Sequence, residues 1–187
     1  MKVNLFLRTV ALVSLVVFAS CRKDDDNNPS SPTTGPFVAK VDGKQFATDN
    51  NSAKAKFVSS TKMLQIIGQT ADQTETIHFE LLPFGGSVST AADWLPGTYD
   101  FNPVHISNLE YSASAMFTKY ENSEYINWNT KWEYVQNGEI KIESNTGTHI
   151  KGTFSFDVVK QNSNGTFDAT NIKKVTEGSF DLDIVQY

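Results

Sequence analysis

The chain has 187 residues, a net charge of −5 and a single cysteine. That length suits one ordinary domain with a sizeable core. The acidic balance argues against nucleic acid and against charge-driven binding to acidic lipid headgroups, and one cysteine cannot build a disulfide framework. At the start of the chain, Lys2 and Arg8 precede the apolar stretch Val10 to Phe18, which is too short for the roughly 20 residues a spanning helix needs. Charge, a short apolar run and the small residues Ala19-Ser20 together predict a cleaved signal peptide over residues 1–20.

The small residues run into Cys21, and Phe18-Ala19-Ser20-Cys21 resembles a bacterial lipobox, with Phe18 standing where Leu is usual. The resemblance implies cleavage before Cys21 and acylation of its thiol. Each buried methylene adds about 0.8 kcal/mol and stable anchoring takes more than one chain, which a multiply acylated cysteine supplies. Cleavage would remove Lys2 and Arg8, taking the 16 basic residues to 14 against 21 acidic ones, a net of −7. The following Arg22-Lys23-Asp24-Asp25-Asp26 is on composition a solvated charge run. Lys23, Asp24 and Asp25 close behind a lipidated cysteine also resemble the export signal of Bacteroidetes outer-membrane lipoproteins. This implies display on the cell surface, with a periplasm-facing anchor as the alternative.

Residues 22–36 are polar, Pro/Ser-rich and without an aromatic, and are read as a disordered tether reaching at most ~50 Å when extended. From Phe37 the apolar pattern has a period of two. Phe37 to Val41 and Lys44 to Ala47 flank Asp42-Gly43, the pair that a two-residue hairpin turn prefers. Lys62 to Gly68 and Ile77 to Leu82 are predicted strands, and Ile140 to Glu143 follows a second turn pair, Asn137-Gly138. Ile150, Phe154, Phe156 and Val158 share one parity, as do Phe180, Leu182 and Ile184, which gives each strand one buried and one wet face. Asn108 to Tyr120 is equally compatible with a helix or a strand. Asn164-Gly165-Thr166 is read as a hairpin turn rather than a glycosylation site. The expectation is an all-β domain over residues 37–187, an antiparallel β-sandwich of about 8–11 short strands, with a closed lipocalin-like barrel as the alternative. Gly152-Thr153-Phe154 and Gly178-Ser179-Phe180 echo each other, and are read as two strands opened by a glycine.

Four segments together resemble an uncharacterised family of Bacteroidetes lipoproteins: Ala39 to Phe46, Pro96 to Tyr99, Gly152 to Phe156 and Thr176 to Phe180. The resemblance implies a β-rich envelope domain and carries over no catalytic or ligand residue.

Candidate chemistry is sparse. His78, His105 and His149 have no second ligand at metal spacing and are expected to be solvated; a zinc site would need them to converge with a carboxylate. Asp181 and Asp183 share a strand face about 7 Å apart. Paired carboxylates at roughly 5–9 Å can serve glycoside hydrolysis, and can contribute to a calcium site of six to eight oxygens. No nucleophile elbow, phosphate loop or metalloprotease motif occurs, and Gly85-Gly86-Ser87 lacks the spacing of an elbow. Aromatic residues are dense from Trp94 to Tyr134, where part of the cluster, Ile126, Trp128 and Trp132, has inward parity. Trp94, Tyr125 and Tyr134 are the candidates for ligand contact, because exposed rings bury much area at little entropic cost. The reading is a membrane-tethered binding or structural module for a glycan, a peptide or an envelope protein, without enzymatic activity or cofactor. The alternative is a hydrolase using Asp181, Asp183 or Glu143 with a histidine.

Overall fold

The structure, a computed structural model, describes residues 35–84, 88–101, 111–131, 133–135 and 138–187. The leader, Cys21, Lys23, Asp24, Asp25 and the tether up to residue 34 lie outside the described residues, as do Gly85-Gly86-Ser87, His105, Trp132 and Asn137. The described chain is all-β, as expected. Its strands are β1 (Phe37–Val41), β2 (Lys44–Ala47), β3 (Ala53–Val58), β4 (Met63–Gln69), β5 (Glu75–Pro83), β6 (Gly97–Asp100), β7 (Tyr111–Glu121), β8 (Glu124–Asn129), β9 (Gly138–Asn145), β10 (His149–Gln161) and β11 (Phe167–Gln186). A single 3₁₀ turn, Ala91–Asp93, precedes β6. The described part of the ambiguous segment before Tyr120 is strand β7.

Turn chemistry sets the hairpins. Asp42 and Gly43 adopt φ 50° and 80°, which closes the two-residue β1–β2 turn as the sequence predicts. Asn122 and Ser123 do the same between β7 and β8, at φ 54° and 67°, without a glycine. Asn162 N–H donates to the Thr166 carbonyl across the β10–β11 turn at 2.8 Å, so the Asn164 sequon is a hairpin tip. Gly138 is not a turn residue. It opens β9 opposite Phe156, whose Cβ would lie 2.8 Å from a Cβ on Gly138.

One mixed sheet holds all eleven strands, in the order β2-β1-β11-β3-β4-β5-β7-β8-β10-β9-β6. Every pairing is antiparallel except β11 with β3, where Ile184, Val185 and Gln186 run parallel to Ala55, Lys56 and Phe57. Because β11 also pairs with β10, the ladders return on themselves from β11 through β3, β4, β5, β7, β8 and β10. Two strands are long, β10 with 13 residues and β11 with 20, and β11 bends at a bulge where Glu177 takes φ 52°.

The curl of this sheet makes the core. Phe37 on β1 and Phe79 on β5 stand four strands apart in the sheet order, about 19 Å in a flat sheet. Their ring centroids lie 6.0 Å apart, and Phe79 also meets Phe154 of β10 at 5.0 Å. Facing layers of the sheet therefore interdigitate around a phenylalanine cluster completed by Phe180.

The echoing motifs acquire a meaning in this core. They are antiparallel mates: Gly152 pairs with Phe180, Thr153 with Ser179, and Phe154 with Gly178. Each ring lies over the glycine of the other strand. A Cβ on Gly178 would enter the Phe154 ring, and one on Gly152 would meet Phe180 Cζ at 2.6 Å and press on the Lys141 carbonyl.

Candidate functional site

The outer face of β5, β7, β8 and the end of β10 carries a connected set of polar and aromatic side chains. On β8, Trp128 points inward and is buried, as its parity predicts, and Ile126 packs against the core. Tyr125, Asn127 and Asn129 therefore point outward. On β7 the outward set is Ser114, Met116, Thr118 and Tyr120, and residues paired directly across the ladder share a face. Thr118 Oγ1 donates to Asn127 Oδ1 at 2.9 Å, and Asn129 Nδ2 donates to Gln161 Oε1 at 2.9 Å. Gln161 pairs with Asn127 on one side and Phe167 on the other, so the row continues onto β11.

Of the three predicted contact aromatics, the structure brings two to the surface. Tyr125 is 72% exposed and its ring stands 4.9 Å from Tyr120. Tyr134 is 41% exposed and packs at 5.8 Å on Phe167. The two aromatic pairs thus flank the Asn127–Gln161 row. Trp94 is not available: it is 2% exposed, and its indole N–H donates to the Lys62 carbonyl at 3.3 Å. It plugs one end of the core, and Asn145 holds its segment by donating to the Ala91 and Trp94 carbonyls at 2.7 and 2.9 Å. An indole in a short turn segment reads the same in sequence whether it plugs or protrudes.

Two grooves open on the outer face. One, of about 320 Å³, separates the start of β8 from the β10–β11 turn and is lined by Tyr125, Asn127, Lys160, Gln161, Asn162 and Ser163, among others. β10 pairs with β8 only at Asn127 to Asn129, which leaves Glu124, Tyr125 and Ile126 at the mouth of this groove. The second, of about 240 Å³, runs past His78, Glu80, Ser114, Met116 and Asn129.

His78 differs from the expectation of a solvated surface residue. Its parity is outward, but neighbouring side chains on adjacent strands half-bury it. Nε2 is shielded from solvent, without a hydrogen-bond partner, and 3.3 Å from Glu80 Oε1. That separation marks a loose contact rather than an aligned hydrogen bond. Burial holds the imidazole below its ordinary pKa, against the opposing pull of Glu80, so it is neutral at pH 7. Glu80 in turn accepts from Gln65 Nε2 at 2.7 Å.

His149 lies at the solvent-exposed end of the β10–β11 ladder. It pairs with Asp183, and its ring bridges Nδ1 to Asp183 at 2.8 Å and Nε2 to Asp181 at 2.7 Å. The two aspartates share a face in sequence, but the cross-strand register that delivers the histidine does not show there. Hydrogen bonds to Asp183 and then Asp181 raise its pKa above the ordinary 6.5. The carboxylates are 56% and 90% exposed, so the trio is a surface ion cluster in the open. Glu143, also exposed, makes no hydrogen bond or ion pair with it among the described residues. Among the described residues, no group of three or more His, Cys, Asp or Glu side chains is arranged to hold a metal ion.

The pH consequence has a definite sign. A histidine whose folded pKa exceeds its unfolded value stabilises the fold fully below the unfolded value, and the contribution fades as pH rises through the folded one. The urea midpoint of the wild type should therefore exceed that of His149→Gln at about pH 5, and the gap should close by about pH 9. A gap that widens with rising pH contradicts the ion cluster.

These features define an all-β domain whose candidate site is an open polar face with aromatic borders. The chain belongs to the family described as Domain of unknown function (DUF6252), whose model matches residues 33–181. No curated protein and no solved structure matches it.

Proposed function

We propose that the protein is a cell-envelope lipoprotein whose all-β domain is a non-catalytic binding or structural module. The observation that carries this reading is Cys21, the sole cysteine, placed directly after a short apolar run and two small residues. Acylation there anchors the chain, residues 22–36 act as the tether, and Lys23, Asp24 and Asp25 favour the outer face of the outer membrane over the periplasmic one. A groove edged by exposed Tyr125, and a second groove on the same face, support a module that contacts a glycan, a peptide or an envelope protein. The hydrolase reading rests on Asp181, Asp183 and His149, whose side chains are 56%, 90% and 44% exposed.

Metabolic labelling tests the anchor. Cells making the wild-type chain and fed an alkynyl palmitate analogue should yield labelled protein in the membrane fraction. Cys21→Ser should lose the label and leave that fraction. Label that survives the substitution overturns the reading. Protease applied to intact cells then separates the two faces: degradation with an intact periplasmic control assigns the outward face, and protection assigns the inward one.

A further inference from the structure

We propose that the outer face of β5, β7, β8 and β10 binds a neutral oligosaccharide, with Tyr125 as the stacking platform and Asn127, Asn129 and Gln161 as the polar rail. The inference rests on the binding-module reading and names its ligand class and its site.

Four observations carry it. The first is the aromatic border. The apolar C–H face of a pyranose packs on an aromatic face, and Tyr125 offers a largely exposed ring held in place by Tyr120 at 4.9 Å. Tyr134 on Phe167 supplies a second border across the row. The second is the polar floor. Sugar hydroxyls both donate and accept, and side-chain amides answer both needs in fixed geometry. Asn127 and Asn129 are already oriented by Thr118 and Gln161, so their remaining hydrogen-bonding capacity faces the grooves without further ordering.

The third is continuity. Asn129 lines the smaller groove and donates to Gln161, which lines the larger, so one hydrogen bond links the two into a path suited to a linear chain. His78 and Ser114 line the far end of that path. The fourth is charge. Glu124 and Glu80 stand in the two grooves, against Lys160 in one, and the chain is net negative, so a polyanion is repelled where a neutral polymer is not. Strand addition by a peptide finds only Glu124, Tyr125 and Ile126 unpaired at the mouth of the larger groove, too short an edge for a ladder.

The test uses the full chain purified in detergent, titrated calorimetrically with maltohexaose, cellohexaose, mannohexaose and xylohexaose, and with hexagalacturonate as the acidic comparator. At least one neutral hexamer should bind. Tyr125→Ala should weaken it about tenfold or more, Asn127→Ala by several-fold, and Tyr125→Phe should retain it, because stacking does not need the hydroxyl. Tyr187→Ala, an exposed tyrosine that packs with Lys56 away from this face, should leave affinity unchanged. Thermal unfolding of each variant separates lost binding from lost folding. No binding to any neutral hexamer, tighter binding of hexagalacturonate, or affinity indifferent to Tyr125→Ala overturns the proposal. Failure here leaves the labelling of Cys21 untouched, and loss of that labelling leaves the titration readable, so the two readings fail separately.

Discussion

Phe154→Ala should cost about 3–5 kcal/mol of stability and Gly178→Ala about 1–3 kcal/mol, yet the two together should cost clearly less than their sum. Phe154 is buried and touches Phe37 and Phe79 at ring separations of 5.0 Å, so its removal leaves a cavity at the centre of the core. Gly178 lies directly beneath the ring, where an added methyl has no room. Once the ring is gone, the methyl enters the space it vacated, and the penalty for Gly178→Ala should fall toward zero. The reciprocal pair should behave differently. At Gly152 an added Cβ presses on the Lys141 carbonyl as well as on Phe180, so Phe180→Ala should not rescue Gly152→Ala. Urea titrations of the singles and doubles, compared at matched m values, decide the matter. Additive costs at the Gly178–Phe154 pair would remove the interlocking from the account of this core.

Ending the chain at Asp183 should destabilise the domain by about 5 kcal/mol or more, which for a protein of ordinary stability approaches the whole margin. The deletion removes Ile184, 9% exposed, and with it roughly 2 kcal/mol of apolar burial. It also removes the three parallel pairings to β3. The bonds from Ile184 N–H to the Thr148 carbonyl at 2.8 Å, from Tyr187 N–H to the Phe57 carbonyl at 2.9 Å and from Ser59 N–H to the Tyr187 carbonyl at 2.8 Å go too, each worth about 1 kcal/mol net. The larger consequence is topological. Among the described residues these form the only ladder that joins β3 to β11, so their loss opens the ring and turns β3, with its buried Ala55 and Phe57, into a bare edge. Circular dichroism melts should show a broad or much lowered transition. A midpoint within a degree or two of the full chain would mean that closure contributes little. Residues 184–186 fall just beyond the stretch that the family model matches.

Much of the fold was legible where local chemistry decides it. Asp42-Gly43 announces its turn because few other pairs tolerate positive φ at both positions, and the strict alternation of Phe154, Phe156, Phe180 and Leu182 names the core face of β10 and β11. Strand β3 and the first half of β7 were not legible, because their inward positions hold Ala55, Ala113 and Ala115, small side chains that carry little hydrophobic signal and yet are buried by the curl of the sheet. Asn122-Ser123 hid a hairpin by making it without glycine, and Asn137-Gly138 suggested a turn where Gly138 instead makes room for Phe156. The candidate site was half visible. The outward parity of Tyr125 could be read, but its polar neighbours from β7 and β10 arrive through cross-strand register, as His149 does beside Asp183. Trp94 misled because a bulky ring in a connecting segment can as readily seal a core as face solvent.

The place of β11 in the sheet orders events in time. Residues 167–186 are flanked by β1, β3 and β10, so the β1–β2 hairpin and β3 both wait for a partner that lies far along the chain. Pairings this distant along the chain form slowly, because the loop between partners must close before any contact rewards it. During that interval the growing polypeptide carries unsatisfied strand edges and exposed phenylalanines, the state in which chains associate wrongly and in which chaperones hold them. A domain built this way locks only when its final strand slides into the middle.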